Sequence, residues 1–160
     1  MAIKVGDTLP NTTFRVMTAE GPKPKPAEEV FKGRKVVLFA VPGAFTPTCS
    51  KNHLPGFVKN AAEIKAKGID AIAVTAVNDP FVMDAWKKAA GSDDIEFLAD
   101  GSADFAKAVG LELDASAGGL GMRSKRYCMV IDDGVLKSLA IEDSPGKADV
   151  SGADALLKSL

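Results

Sequence analysis

Cysteine and histidine are scarce in this chain of 160 residues: there are two cysteines, Cys49 and Cys128, and one histidine, His53. Two cysteines so far apart cannot build a disulfide framework, and the absence of a CxxC pair excludes a dithiol of the thioredoxin kind. With a single histidine, a Cys/His metal centre has too few ligands, so no metal is expected. Charge of one sign is also missing, with 20 Lys plus Arg against 21 Asp plus Glu. That balance gives no long-range field to attract nucleic acid or an acidic membrane. No apolar run approaches the roughly 18 residues of a membrane span. Met1 to Asp7 offers no apolar stretch of signal-peptide length. The expectation from these absences is a soluble, cytoplasmic protein. In a reducing compartment, an unpaired cysteine is left with two roles, buried packing or chemistry.

What is present describes a globular chain. A hydrophobic content of 46% with 26% charged residues supports a buried core. The length suits one domain over residues 1–160, and neither an internal repeat nor a boundary is visible. Lys35–Val41 is a continuous β-branched and apolar run, as expected for a strand covered on both faces. From Cys49 to about Lys67 the apolar residues Leu54, Phe57, Val58, Ala61 and Ile64 recur at helical spacing, with Pro55 predicting a kink or a late start. A second strand is expected over Ile69–Val77. Asp79-Pro80 then reads as an N-cap followed by proline at the first helical position. A third strand over Ile95–Ala99 and a helix over Ala103–Val109 follow. Asp132-Asp133-Gly134 marks a hairpin between Tyr127–Ile131 and Val135–Ile141. Ser151 with Asp154 resembles a capping box for a last helix. Pro22, Pro24 and Pro26 predict an exposed extended loop rather than a paired strand. Together these elements predict an α/β fold with a mixed central sheet flanked by helices.

One segment carries candidate chemistry. A thiol becomes an effective nucleophile as a thiolate, and the positive end of a helix favours that form. Cys49 falls where the turn after the first long strand becomes a helix, among the hydroxyls of Thr46 and Thr48. Taken alone, this position fits a nucleophile and a buried packing residue equally well. His53, four residues on, could approach Cys49 on one helix face.

The stretch Val41-Pro42-Gly43-Ala44-Phe45-Thr46-Pro47-Thr48-Cys49-Ser50 resembles the active-site motif of peroxiredoxins. Its continuation through Lys51-Asn52-His53-Leu54-Pro55-Gly56-Phe57 resembles the type II, peroxiredoxin-5-like subfamily. Val77-Asn78-Asp79-Pro80-Phe81-Val82-Met83 with Trp86, Leu98-Ala99-Asp100-Gly101 and Arg123-Ser124-Lys125-Arg126-Tyr127 match in the same order over nearly the whole chain. The resemblance implies a thioredoxin-like fold and a thiol-dependent peroxidase without a cofactor. It implies that Cys49 attacks hydrogen peroxide or an alkyl hydroperoxide and becomes a sulfenic acid. Thr46 would hydrogen-bond thiolate and peroxide, Arg126 would stabilise the developing charge, and Pro42 would shield the sulfur. Gly43 and Thr48, with the backbone N–H groups near Cys49, are the candidate substrate-binding positions, and His53 is a candidate supporting residue.

The departures from the pattern bear on the catalytic cycle. Some relatives resolve the sulfenic acid with a second cysteine near the C-terminus, and Glu142 to Ser151 contains none. Cys128 lies two residues from Arg126, so on a strand both face one side. Buried packing is the reading adopted for Cys128, with a resolving role as the alternative. A one-cysteine cycle then needs an external thiol, glutathione with glutaredoxin or thioredoxin. The resemblance also implies a homodimer formed through loops around the site. A redox sensor on the same scaffold and a Cys–His hydrolase built on Cys49 and His53 are the competing readings.

Overall fold

The computed structural model describes residues 2–160. The first hairpin pairs β1 (Thr13–Thr18) with β2 (Gly21–Pro26), and a short helix α1 (Ala27–Phe31) follows. The apolar run expected to be covered on both faces is β3 (Lys35–Ala40), buried from Val36 onward. Helix α2 (Leu54–Ala66) leads to β4 (Ala71–Ala76), and α3 (Pro80–Ala90) leads to β5 (Ile95–Ala99). Helix α4 (Asp104–Ala108) precedes a small ribbon of β6 (Glu112–Asp114) and β7 (Met122–Ser124). The hairpin β8 (Tyr127–Asp132) and β9 (Val135–Ile141) and the final helix α5 (Ala153–Ser159) complete the chain.

Seven strands form one mixed sheet in the order β2-β1-β5-β4-β3-β8-β9. Strands β3, β4 and β5 are parallel, joined by α2 and α3 as crossovers, whereas β1, β8 and β9 run antiparallel to their neighbours. The two-residue alternation of β3 divides the core. Val37, Phe39 and Val41 face α2, α3 and α5, while Val36, Leu38 and Ala40 face α1 and α4. This is the α/β, thioredoxin-like arrangement expected from the sequence.

Local signals explain several boundaries. The Asp79 side chain accepts the Val82 N–H at 2.8 Å and starts α3 at Pro80. Asp133 and Gly134 both have positive φ, 49° and 80°, the primed turn that suits a two-residue hairpin.

Two expectations are corrected, and one element was not foreseen. The prolines of residues 22–26 do pair: Pro22, Pro24 and Pro26 lie opposite Met17, Arg15 and Thr13. They are spaced by two on an edge strand, so every missing N–H points away from β1 and the ladder uses Lys23 and Lys25. An outer edge poor in donors also resists pairing with another chain. The Ser151/Asp154 capping box does not form. Helix α5 is entered at Gly152, and Ser151 gives its backbone N–H and its hydroxyl to Glu142 instead. The β6–β7 ribbon was not visible in the sequence, because three-residue strands carry no readable period.

The disturbance expected at Pro55 takes the form of a widened turn over Cys49–His53, in which the Leu54 N–H reaches back to the Cys49 carbonyl. Pro55 has no N–H and its ring crowds the carbonyl four residues earlier, so the preceding turn opens. Both Cys49 and His53 are buried as a result.

Candidate active site

The loop after β3 delivers Cys49 to the start of a helix that runs into α2. Residues 47 and 48 are already helical, and the Ser50 N–H bonds the Thr46 carbonyl at 2.9 Å. Thr46 therefore occupies the N-cap and Pro47 the first helical position, where proline is pre-organised. Thr48 and Cys49 are then among the first-turn residues whose N–H groups have no intrahelical acceptor.

The loop is held from three sides. Asn78 accepts the Ala44 N–H at 2.9 Å, Arg123 donates from Nη1 to the Pro42 carbonyl at 3.2 Å, and Trp86 donates from Nε1 to Ser50 Oγ at 3.1 Å. Gly43 leaves room for that arginine, since a Cβ there would lie 2.7 Å from Arg123 Nη1. Phe45 is half exposed at φ 65°, a conformation that a bulky side chain adopts only under constraint from its surroundings. In the sequence Arg123 was only a member of the matching stretch Arg123–Tyr127 and was given no role of its own. Nothing local marks it, because its partner lies 81 positions away.

Cys49 Sγ is fully buried and sits between two donors. Thr46 Oγ1 is 2.8 Å away and Arg126 Nη2 2.9 Å away. Thr46 Oγ1 also lies 2.7 Å from the Gly43 carbonyl, and a hydroxyl has one hydrogen to give. With a protonated sulfur, Cys49 donates to Thr46 and Thr46 to Gly43. With a thiolate, Thr46 turns its hydrogen to the sulfur. The threonine thus matches either ionisation state without moving.

Arg126, at the entry to β8, is buried and spends its planar fork on three acceptors. Nη2 donates to Cys49, Nη1 to His53 Nδ1 at 2.9 Å, and Nε to the Pro145 carbonyl at 3.1 Å. Among the described residues no carboxylate forms an ion pair with it. A buried guanidinium needs a countercharge, and of its three acceptors the sulfur alone can supply one.

His53 faces Arg126 rather than Cys49. An arginine only donates, so His53 Nδ1 is the accepting nitrogen and Nε2–H donates to the Ser151 carbonyl at 2.9 Å. Both ring nitrogens are occupied, which removes the basis for a Cys–His hydrolase. Burial, with Arg126 adding to it, lowers the His53 pKa to about 4. The unfolded chain, with an ordinary histidine near 6.5, therefore binds a proton before the folded one does as pH falls. His53 contributes stability that is complete above about pH 6.5, declines as pH falls towards 4, and changes no further below that. Thermal unfolding followed from pH 7 to pH 4 should show a decline in Tm that is shallower in His53→Gln. Parallel slopes would show that His53 is not buried neutral.

The remaining sequence candidates separate. Thr48 Oγ1 points to the Gly146 carbonyl at 3.1 Å and not to Cys49. Cys128 is buried in mid-β8 opposite Phe39 and Ala140, and burial raises its thiol pKa to about 12. Both cysteines are free.

Comparison with known proteins identifies the family. The Redoxin family model matches residues 4–157. Peroxiredoxin-2E-2 of Oryza sativa subsp. japonica is 49% identical, covering 99% of this chain and 72% of its own. The chain belongs to the type II peroxiredoxins. Reduced Prx3 of Vibrio vulnificus, solved in complex with hydrogen peroxide, superposes with a TM-score of 0.94 at 52% identity, covering 98% of each chain. Peroxiredoxin 5 of Alvinella pompejana gives 0.87 at 39%, over 98% of this chain and 97% of that one. This peroxiredoxin is accordingly a thiol-dependent peroxidase, an oxidoreductase that uses peroxide and a thiol reductant. The cytoplasmic placement is overturned. The rice protein is named chloroplastic, as is a 46% identical counterpart from Arabidopsis thaliana. Among the described residues no helix is long and apolar enough to cross a membrane, and that fact selects no compartment.

Proposed function

We propose that Cys49 is the peroxide-attacking residue and works in a one-cysteine cycle completed by an external thiol. The observation that carries this reading is the placement of Cys49 Sγ between Thr46 Oγ1 and Arg126 Nη2, an arginine that forms no ion pair with a carboxylate among the described residues. The thiolate attacks the hydroxyl oxygen of the peroxide. An S–O bond forms as the O–O bond breaks, the sulfur keeps the hydroxyl as a sulfenic acid, and the departing oxygen takes a proton to leave as water or alcohol. Arg126 and the first-turn N–H groups face the oxygen on which charge develops, and Thr46 aligns the peroxide. In this reading Pro42 and Gly43, whose carbonyls are held by Arg123 and Thr46, shield the sulfur and limit its further oxidation.

The buried, high-pKa Cys128 supports packing rather than resolution. The sulfenic acid then condenses with glutathione, releasing water, and a second thiol, on glutaredoxin or another glutathione, displaces Cys49. Thioredoxin is the alternative reductant. Homodimerisation through loops around the site is supported by the exposed side chains of Phe45, Leu120 and Met122. The experiment is steady-state turnover of hydrogen peroxide with glutathione plus glutaredoxin, or with thioredoxin and its reductase, on wild type and Cys128→Ser. Equal turnover of the two proteins supports the cycle. Loss of turnover in Cys128→Ser overturns it.

A further inference from the structure

Five hydrogen bonds link the reactive sulfur to a carboxylate far along the chain. Cys49 Sγ accepts from Arg126 Nη2, and Arg126 Nη1 donates to His53 Nδ1. His53 Nε2 donates to the Ser151 carbonyl, and Ser151 gives its N–H at 2.7 Å and its hydroxyl at 2.6 Å to one oxygen of Glu142. Ser151, Arg126 and His53 are all nearly or fully buried. The same segment, residues 142–151, supplies the carbonyls of Pro145 to Arg126 and Gly146 to Thr48. It is a strap, and Glu142 clasps its two ends.

The clasp is ordered by the sheet on one side. The Glu142 N–H bonds the Arg126 carbonyl at 3.0 Å, continuing the β8–β9 ladder one residue past Ile141. Glu142 is therefore fixed beside Arg126 by backbone and returns to it through the side-chain route. A double hydrogen bond from neutral donors to a carboxylate is charge-assisted and holds Ser151 firmly. The Ser151 carbonyl then selects the His53 tautomer that leaves Nδ1 free to accept from Arg126. This is the logic of an outer partner that orients an inner residue through its second ring nitrogen.

Resting on the assignment of Cys49 and Arg126 above, we propose that Glu142 and Ser151 are positioning residues for the peroxidase reaction, acting on Cys49 through His53 and Arg126. Neither touches the sulfur. Their contribution is to hold the guanidinium aimed at the reacting atoms.

The test is the second-order rate of Cys49 oxidation by hydrogen peroxide, measured in the full-length protein for Glu142→Ala, His53→Phe and the double variant. Glu142→Ala should slow oxidation about tenfold, the scale of one buried hydrogen bond to a charged group. In the His53→Phe background it should have almost no further effect, because the route is already cut. Ser151→Thr, which keeps both donors, should retain most of the rate, and Ser151→Ala, which keeps only the N–H, should fall between. These two also serve if Glu142→Ala does not fold. Additive losses in the double variant, or an unchanged rate in Glu142→Ala, would overturn the proposal. Cys49→Ser in parallel separates the two readings: if it still oxidises at the wild-type rate, the assignment of Cys49 fails, whereas an inert Cys49→Ser with an unaffected Glu142→Ala condemns the relay alone.

Discussion

Replacing Cys49 by serine should reduce peroxide-dependent turnover to background, a loss on the order of 10⁴-fold or more, as for removal of a nucleophile elsewhere. A serine hydroxyl is much less acidic than a thiol, so Arg126 and the helix start cannot hold it as an anion near neutral pH. Nor can its oxygen be oxidised in the way a sulfur can, so no sulfenic acid equivalent forms. The substitution exchanges sulfur for a smaller oxygen at a fully buried position that retains Thr46 and Arg126 as partners. The fold should survive, and circular dichroism should confirm it. The measurement is peroxide consumption under saturating reductant, with Cys128→Ser as the control that keeps its activity.

Arg126→Ala should cost on the order of 10²–10³-fold in the rate of Cys49 oxidation, the range for removing one pre-organised donor from a developing negative charge. Two effects act together. The sulfur loses the Nη2 contact at 2.9 Å, and His53 Nδ1 and the Pro145 carbonyl lose their donors. Arg126→Lys should recover little of the loss. A lysine ammonium is a compact charge on a flexible stem, and it cannot reach three separated acceptors with a planar fork. A lysine variant with wild-type rate would show that charge alone matters and that the orientation of the fork does not. Because a buried residue is removed, thermal stability must be followed alongside the rate, with the comparison made where both variants remain folded.

The parts of this structure legible in the sequence were those that depend on near neighbours. The uninterrupted apolar run of β3 reports burial on both faces, Asp79-Pro80 reports a helix start, and Asp133-Gly134 reports a tight hairpin. The placing of Cys49 at a helix start beside the Thr46 hydroxyl was legible for the same reason, but their roles came from the family resemblance, since the position alone fits packing equally well. Arg126 was identified by resemblance, not by spacing, since 77 residues separate it from Cys49. The strap escaped detection altogether. His53 and Ser151 are 98 positions apart, and Ser151 read as a local helix cap because a serine oxygen commonly accepts from first-turn N–H groups. In the fold Ser151 lies one residue before the cap and donates to Glu142, which is placed by the β8–β9 ladder that only the folded topology discloses. The edge strand of alternating prolines was misjudged for a related reason. Proline forbids a donor at its own position, but spacing by two puts all the forbidden positions on the side of the strand that needs none.

The most direct test of a one-cysteine peroxidase built on Cys49 is the intact mass of the reduced protein after one equivalent of hydrogen peroxide, on wild type, Cys49→Ser and Cys128→Ser. The account predicts that wild type and Cys128→Ser each gain one oxygen, convert to a glutathione adduct when that thiol is added, and that Cys49→Ser gains neither. Loss of two hydrogens in the wild type but not in Cys128→Ser would show a disulfide and contradict the cycle, and an oxygen gained by Cys49→Ser would contradict the site.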